Sequence, residues 1–257
     1  MHRLLLITLA LALAAAPARA ATPTPADKVT LSARISACTT GVDPAERAAT
    51  FTGAMPTMTG ARTMQMRFVL LQRRGSAGTF QAIDVPDWGT WETSGPGRPG
   101  FVFTKRIDAL LAPAGYKAAV YFRWLDRKGH VLRMLRRTTT ACEQPDPRPE
   151  LVFAALSGTA TAGGASYTIA VRNDGRSTAP PFTVTLAFDG VTQGSVSLGT
   201  AVPDATVQGT MDAPRCKAGS TVTVTVDATD AVDETDETDN VVQRPCPVTD
   251  GDSGAIG

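Results

Sequence analysis

The stretch KAGSTVTVTVDATDAVDETDETDNVVQRPC, residues 217–246, decides the fold class. Val222, Val224 and Val226 alternate with Thr221, Thr223 and Thr225, so one face of a strand is apolar and the other hydroxylated, as a half-buried strand requires. An acidic crossing follows, and Val241 and Val242 return the chain. Cys216 precedes the outgoing strand and Cys246 follows the returning one, so an antiparallel hairpin centred near Ala231 brings the two sulfurs together at its open end. The stretch reads as the closing hairpin of a β-sandwich.

Working outward, the preceding residues supply more strands of the same kind. Leu151 and Phe153, then Tyr167, Ile169 and Val171, then Phe182, Val184, Leu186 and Phe188, then Val196 and Leu198 give successive apolar faces. Between them lie Asn173-Asp174-Gly175 and Asp189-Gly190, turn chemistry that supplies positive φ where strands reverse. No stretch shows helical periodicity, and Thr, Val, Gly and Ala dominate. The class is all-β.

Several of these segments resemble CARDB, the cell-adhesion-related domain found in bacteria. In that family a valine-rich strand ends in an Asp and is followed by Val, Glu, Glu and a terminal Asn pair. Here those are Asp227, Val232, Glu234 and Glu237, with Asp239 and Asn240 in the last two places, so one Asn of the pair is replaced. Upstream, PELV at 149–152, YTIAVRNDG at 167–175 and PFTVTLAFDG at 181–190 resemble the family's opening strand, its turn and its next strand, in order. The resemblance covers residues 149–246 and implies an immunoglobulin-like sandwich outside the cell.

The first half reads as a second sandwich. Met64, Met66, Phe68 and Leu70 alternate with Thr63, Gln65, Arg67 and Val69, and Phe101, Phe103 and Lys105 begin another strand. Tyr116, Ala118, Val120, Phe122 and Trp124 occupy one face of a longer strand; residues 126–129 turn, and residues 130–140 return. Leu111, Pro113 and Tyr116 resemble the tyrosine corner of fibronectin type III domains, at tighter spacing. That resemblance implies an immunoglobulin or fibronectin III-like sandwich whose Tyr116 hydroxyl bonds back to nearby backbone.

Residues 1–20 read as a secretory signal peptide: a short basic start at His2 and Arg3, an uncharged apolar run, and Ala18-Arg19-Ala20 as the cleavage site. The run is too short to span a bilayer, so a secreted, extracellular protein without a membrane span is expected. Residues 144–149 place a proline at every second position, which favours an extended linker. The expected organisation is an immunoglobulin-like sandwich over 21–147, a CARDB-like sandwich over 148–247, and a disordered tail over 248–257.

Four cysteines behind a signal peptide imply two disulfides, and four allow three connectivities. Two of the three staple one domain to the other. Pairing within each domain joins Cys38 to Cys142 and Cys216 to Cys246. Cys38 ends the first predicted strand and Cys142 the last strand of the first domain, and in such a sandwich those two strands can lie side by side and parallel.

The charge is unevenly divided. Residues 21–148 hold 18 Lys and Arg against 10 Asp and Glu, whereas residues 149–257 hold 5 against 14, so a near-neutral total conceals halves of +8 and −9. Arg123, Arg127, Lys128, Arg133, Arg136 and Arg137 are the basic candidates for facing an anionic polysaccharide, set against the plainer role of keeping strand faces solvated. Trp88 and Trp91, in DWGTWE, are candidates for stacking on sugar rings, set against packing in the core. The aromatic content offers no stacking platform for nucleic acid.

Seven carboxylates lie in the crossing: Asp227, Asp230, Asp233, Glu234, Asp236, Glu237 and Asp239. Calcium takes six to eight oxygens, so a calcium site of low affinity is the metal reading; the spacing lacks the mid-loop glycine and terminal Glu of an EF-hand. The alternative is a solvated turn whose side chains cap backbone amides. Otherwise no cofactor is expected. His130 is the one histidine beyond the signal peptide, it adjoins a turn, and no Ser lies in a nucleophile motif, so no enzyme is expected. The expected function is a non-catalytic recognition or adhesion module binding an extracellular protein or polymer. A passive spacer and a carboxylate-dependent hydrolase are the alternatives.

Overall fold

The computed structural model describes residues 29–249 and 252–256; the expected signal peptide lies outside them. Nine strands build the first half: β1 (Ser32–Thr39), β2 (Ala48–Pro56), β3 (Thr63–Arg74), β4 (Gln81–Ile83), β5 (Trp91–Thr93), β6 (Gly100–Asp108), β7 (Ala114–Leu125), β8 (Val131–Thr138) and β9 (Cys142–Gln144). They form two antiparallel sheets, β1-β2-β6 and β4-β3-β7-β8, with β5 added on β3 and β9 on β7. Period-two alternation decides which side chains meet between them. Met64, Met66, Phe68 and Leu70 of β3 and Tyr116, Ala118, Val120, Phe122 and Trp124 of β7 all point inward and are buried.

β2 carries no alternation because it is covered at nearly every position. Gly53 lets it approach: a Cβ there would stand 2.7 Å from the Met66 sulfur and 3.1 Å from Phe68 and Val120. The Tyr116 hydroxyl accepts from the Leu111 amide at 2.9 Å, as the corner motif implies. It also accepts from the Gln72 side chain at 2.8 Å.

Cys38 and Cys142 are joined, with Cα atoms 5.6 Å apart. Their strands are not neighbours in one sheet, however. β1 bonds to β2, and Cys142 opens β9, a short strand on β7 separate from β8. The disulfide therefore staples one sheet to the other.

The second half comprises β10 (Leu151–Thr161), β11 (Gly164–Asn173), β12 (Phe182–Phe188), β13 (Val191–Leu198), β14 (Thr206–Ala213), β15 (Thr221–Thr225), β16 (Val241–Pro245), β17 (Val248–Thr249) and β18 (Asp252–Ile256). Its sheets are β14-β11-β10-β18-β17 and β13-β12-β15-β16, and they share no strand pairing with the first half. Leu151, Tyr167, Ile169, Val171, Phe182, Val184, Leu186, Val222, Val224 and Val226 form one buried cluster. β15 and β16 pair from Thr221↔Pro245 to Thr225↔Val241, and Cys216 is bonded to Cys246 at the open end.

Two expectations are corrected here. Residues 248–249 and 252–256 are strands where a disordered tail was expected, and β18 pairs antiparallel with β10 from Leu156↔Ile256 to Gly158↔Gly254. The backbone of β10 offers an open edge, and the short polar segment fills it. At Asn173-Asp174-Gly175 no residue takes positive φ. Instead the buried Asn173 side chain accepts from the amides of Glu150 and Gly175 and donates to the carbonyls of Ser177 and Ala201. Gly175 is needed for close approach, since a Cβ would lie 2.4 Å from the Pro149–Glu150 backbone. Asp189-Gly190 does turn through positive φ, at 46° and 84°.

Candidate recognition face and acidic crossing

The outward face of the β5-β3-β7-β8 sheet gathers cations and rings. Because β3 and β7 bury their even-numbered residues between 64 and 70 and between 116 and 124, Gln65, Arg67, Tyr121 and Arg123 project to the other side. The register then sets Trp91, Arg67, Tyr121 and Arg136 in one row across four strands. A second row holds Thr93, Gln65, Arg123 and Met134.

Guanidiniums and rings alternate through these rows. Arg123 lies 3.8 Å from the Trp91 ring centre and Arg67 5.2 Å from the same ring; Arg67 is 4.8 Å from the Tyr121 ring and Arg136 5.7 Å from it. Stacking of this kind is worth about 0.5–1 kcal/mol per exposed contact and fixes the plane of each guanidinium. Arg123 Nε also donates to Gln65 Oε1 at 2.5 Å. Among the described residues none of these three arginines forms an ion pair with a carboxylate.

The basic candidates are thereby sorted. Arg123 and Arg136 belong to the face, Arg127 and Lys128 sit exposed in the β7–β8 turn, and Arg133 and Arg137 have the opposite parity on β8. Trp88 packs edge-on against Phe51 and Phe68, ring centres 6.1 and 6.3 Å away. Trp91 alone of the pair is on the face. Arg67 and Tyr121 were missed as candidates; the signal available was that each is a polar or amphipathic residue on the solvent side of an alternating strand.

The acidic crossing, residues 226–240, divides its carboxylates among separate tasks. Glu234 is fully buried; its Oε2 accepts from the Leu151 amide at 2.5 Å and its Oε1 from Asn240 Nδ2 at 3.1 Å. Burial, with Glu237 and Glu150 repelling it, pushes its pKa up to about 7 against the pull of those two hydrogen bonds. Glu237 accepts from the Glu234 amide at 2.7 Å. Asp227, at φ 40°, accepts from the Val232 amide at 2.7 Å. Its other oxygen and the Asn240 side-chain oxygen are buried without a partner among the described residues.

Outside this buried set, Asp233 pairs with Arg148 at 2.6 Å, and Arg148 also holds Asp146 at 2.9 Å. Asp236 accepts from the Thr238 hydroxyl and amide, which lowers its pKa, while its own amide donates to Glu150 at 2.8 Å. Asp230 and Asp239 are exposed. No group of three or more His, Cys, Asp or Glu is arranged to hold a metal among the described residues. The crossing thus ties the start of β10 to the end of the hairpin through side-chain caps.

His130 lies at the β7–β8 turn, exposed, its ring 3.3 Å from an Asp126 oxygen. Asp126 also accepts from the amides of Lys128 and His130, which lowers its pKa, the His130 amide contributing most. These bonds make a turn cap.

Residues 149–244 match the CARDB family model. No curated protein matches the chain. Among solved structures, the chain is similar to the CARDB domain of a Pyrococcus furiosus protein in complex with di-metal ions, at 22% identity and TM-score 0.32, covering 38% of this chain and 86% of that one. It is similar to red sea bream transglutaminase at 11% identity and TM-score 0.30, covering 79% of this chain and 29% of that one. A chain of a chaperone–tip adhesin complex of CFA/I fimbriae biogenesis is matched at 10% identity and TM-score 0.26, over 83% of this chain and 98% of that one.

Proposed function

We propose that this CARDB-containing chain is a secreted, non-catalytic recognition module that adheres to an anionic extracellular polymer through its first half. The CARDB match over 149–244 supports a cell-adhesion-related module, and two disulfides support an oxidising compartment. The observation that carries the reading is the outward face of β5-β3-β7-β8. Arg67, Arg123 and Arg136 are held by Trp91 and Tyr121 and have no carboxylate among the described residues to neutralise them. A guanidinium so held presents its remaining donors as a fixed fork, suited to carboxylate, sulfate or phosphate.

The second half has a different part in this reading. Its net −9 repels an anionic polymer from the CARDB-like sandwich, so the polymer is directed to the first half. Retention of the full chain on an immobilised anionic polysaccharide, compared with a neutral one, is the test. Retention that is lost on adding salt and absent from the neutral matrix is expected. Equal passage through both matrices would favour a passive spacer.

A further inference from the structure

Resting on that reading, we infer that the face takes a linear polysaccharide bearing one anionic group on every second sugar, laid across the strands. The register carries this. Arg67 and Arg136 flank Tyr121 in one row, so their Cα positions are separated by two strand spacings, about 9.6 Å, and their guanidiniums lie 4.8 and 5.7 Å from its ring centre. A pyranose in an extended chain advances it by roughly one strand spacing. Alternate anions therefore meet the two guanidiniums while the neutral sugar between them crosses the Tyr121 side chain that separates them. Trp91 continues the row beyond Arg67, and Arg123, on the other row, covers the Trp91 ring.

An extended acidic peptide does not fit the same row. Its same-face side chains recur every second residue, about 6.7 Å, so after one carboxylate is seated the next falls between the cations. Dense negative charge alone is thus an inferior match to correctly spaced charge. The row also lacks an apolar pocket for a peptide side chain: Met134, 51% exposed, is its large apolar neighbour on β8.

The experiment measures binding of the full chain to hyaluronan, which carries one carboxylate per disaccharide, to poly-L-glutamate at equal carboxylate concentration, and to dextran. Hyaluronan is expected to bind at least about tenfold more tightly than poly-L-glutamate, and dextran not at all. Arg136→Gln, at an exposed position, is expected to cost about tenfold toward hyaluronan. Arg127→Gln, which removes the same charge from the turn, should leave affinity within about twofold. Melting temperatures equal to the parent chain confirm that both variants fold. Poly-L-glutamate binding as tightly as hyaluronan, or equal losses in the two variants, would overturn the spacing inference and leave anion recognition standing. Failure of every anionic polymer to bind would overturn the underlying reading as well.

Discussion

Glu234 is held by two hydrogen-bond donors and, among the described residues, by no cation, and the charged neighbours that act on it, Glu237 and Glu150, are acids. Its proton is therefore retained in the folded protein at pH values where the unfolded chain has lost it. Between the ordinary carboxylate value of 4.5 and about 7 the native state binds the extra proton, so stability falls as pH rises through that window. The loss is on the order of 3 kcal/mol. Glu234→Gln keeps an acceptor for the Leu151 amide, and its new NH2 can donate to the Asn240 oxygen, unpartnered among the described residues, once the Asn240 amide turns over. The variant is expected to be more stable than the parent at pH 8 and to show a flatter melting curve against pH between 4.5 and 7. Parallel profiles for the two proteins would contradict this account. At Tyr116, the change to Phe leaves the Leu111 amide and Gln72 amide without an acceptor and is expected to cost about 1–3 kcal/mol by denaturant titration.

At the scale of elements, the staples and the crossing are separable. Cys38 and Cys142 lie 104 residues apart and Cys216 and Cys246 lie 30 apart, so chain entropy assigns about 4–5 and 3–4 kcal/mol to the two bonds. Peptide mapping of the non-reduced protein should yield those two linked pairs, and a Cys142–Cys216 link would contradict both. The crossing's carboxylates are spread among the amides of Leu151, Val232, Glu234 and Thr238 and the Arg148 guanidinium. Calcium and magnesium at equal concentration are expected to move the melting temperature alike. A calcium-specific rise abolished by replacing Asp233, Glu234, Asp236 and Glu237 with their amides would show a metal site instead.

The elements that were legible in the sequence are those with one wet face and one dry one. β3, β7, β12 and β15 announce themselves by alternation, and the apolar residues it names are buried, although β7 also buries Ala114, Gly115, Ala119 and Leu125. β2 stayed hidden because small residues covered on both sides have no period, and β14 because Thr, Gln and Gly interrupt its apolar residues. β18 is polar and is recruited by an open edge, which no local pattern records. The site was half legible for a related reason. Composition and position gave Trp91, Arg123 and Arg136, whereas their union with Arg67 and Tyr121 depends on the register of four strands, two of them far apart in sequence.

For the whole molecule, the central division is between a basic sandwich that presents its guanidiniums and an acidic one that uses its carboxylates for its own backbone. Opposite net charges of +8 and −9 give a near-neutral chain, and in the proposed reading the attraction to an anionic polymer is confined to one half. Raising salt should weaken that attraction without altering where the polymer sits. The chain has three tryptophans: Trp88 packs on Phe51 and Phe68, Trp124 is buried with its Nε1 donating to the Pro56 carbonyl, and Trp91 lies between Arg67 and Arg123 on the face. Their indole N–H signals therefore report three separate places. The direct measurement follows these signals and the backbone amides by two-dimensional NMR as hyaluronan is added. The Trp91 indole and the amides of β3, β7 and β8 around Arg67, Tyr121 and Arg136 are predicted to shift, while Trp88, Trp124 and residues 227–240 stay still. Shifts centred on the acidic crossing, or a Trp91 signal unmoved while the polymer binds, would contradict the claim that this face is where the protein makes its contact.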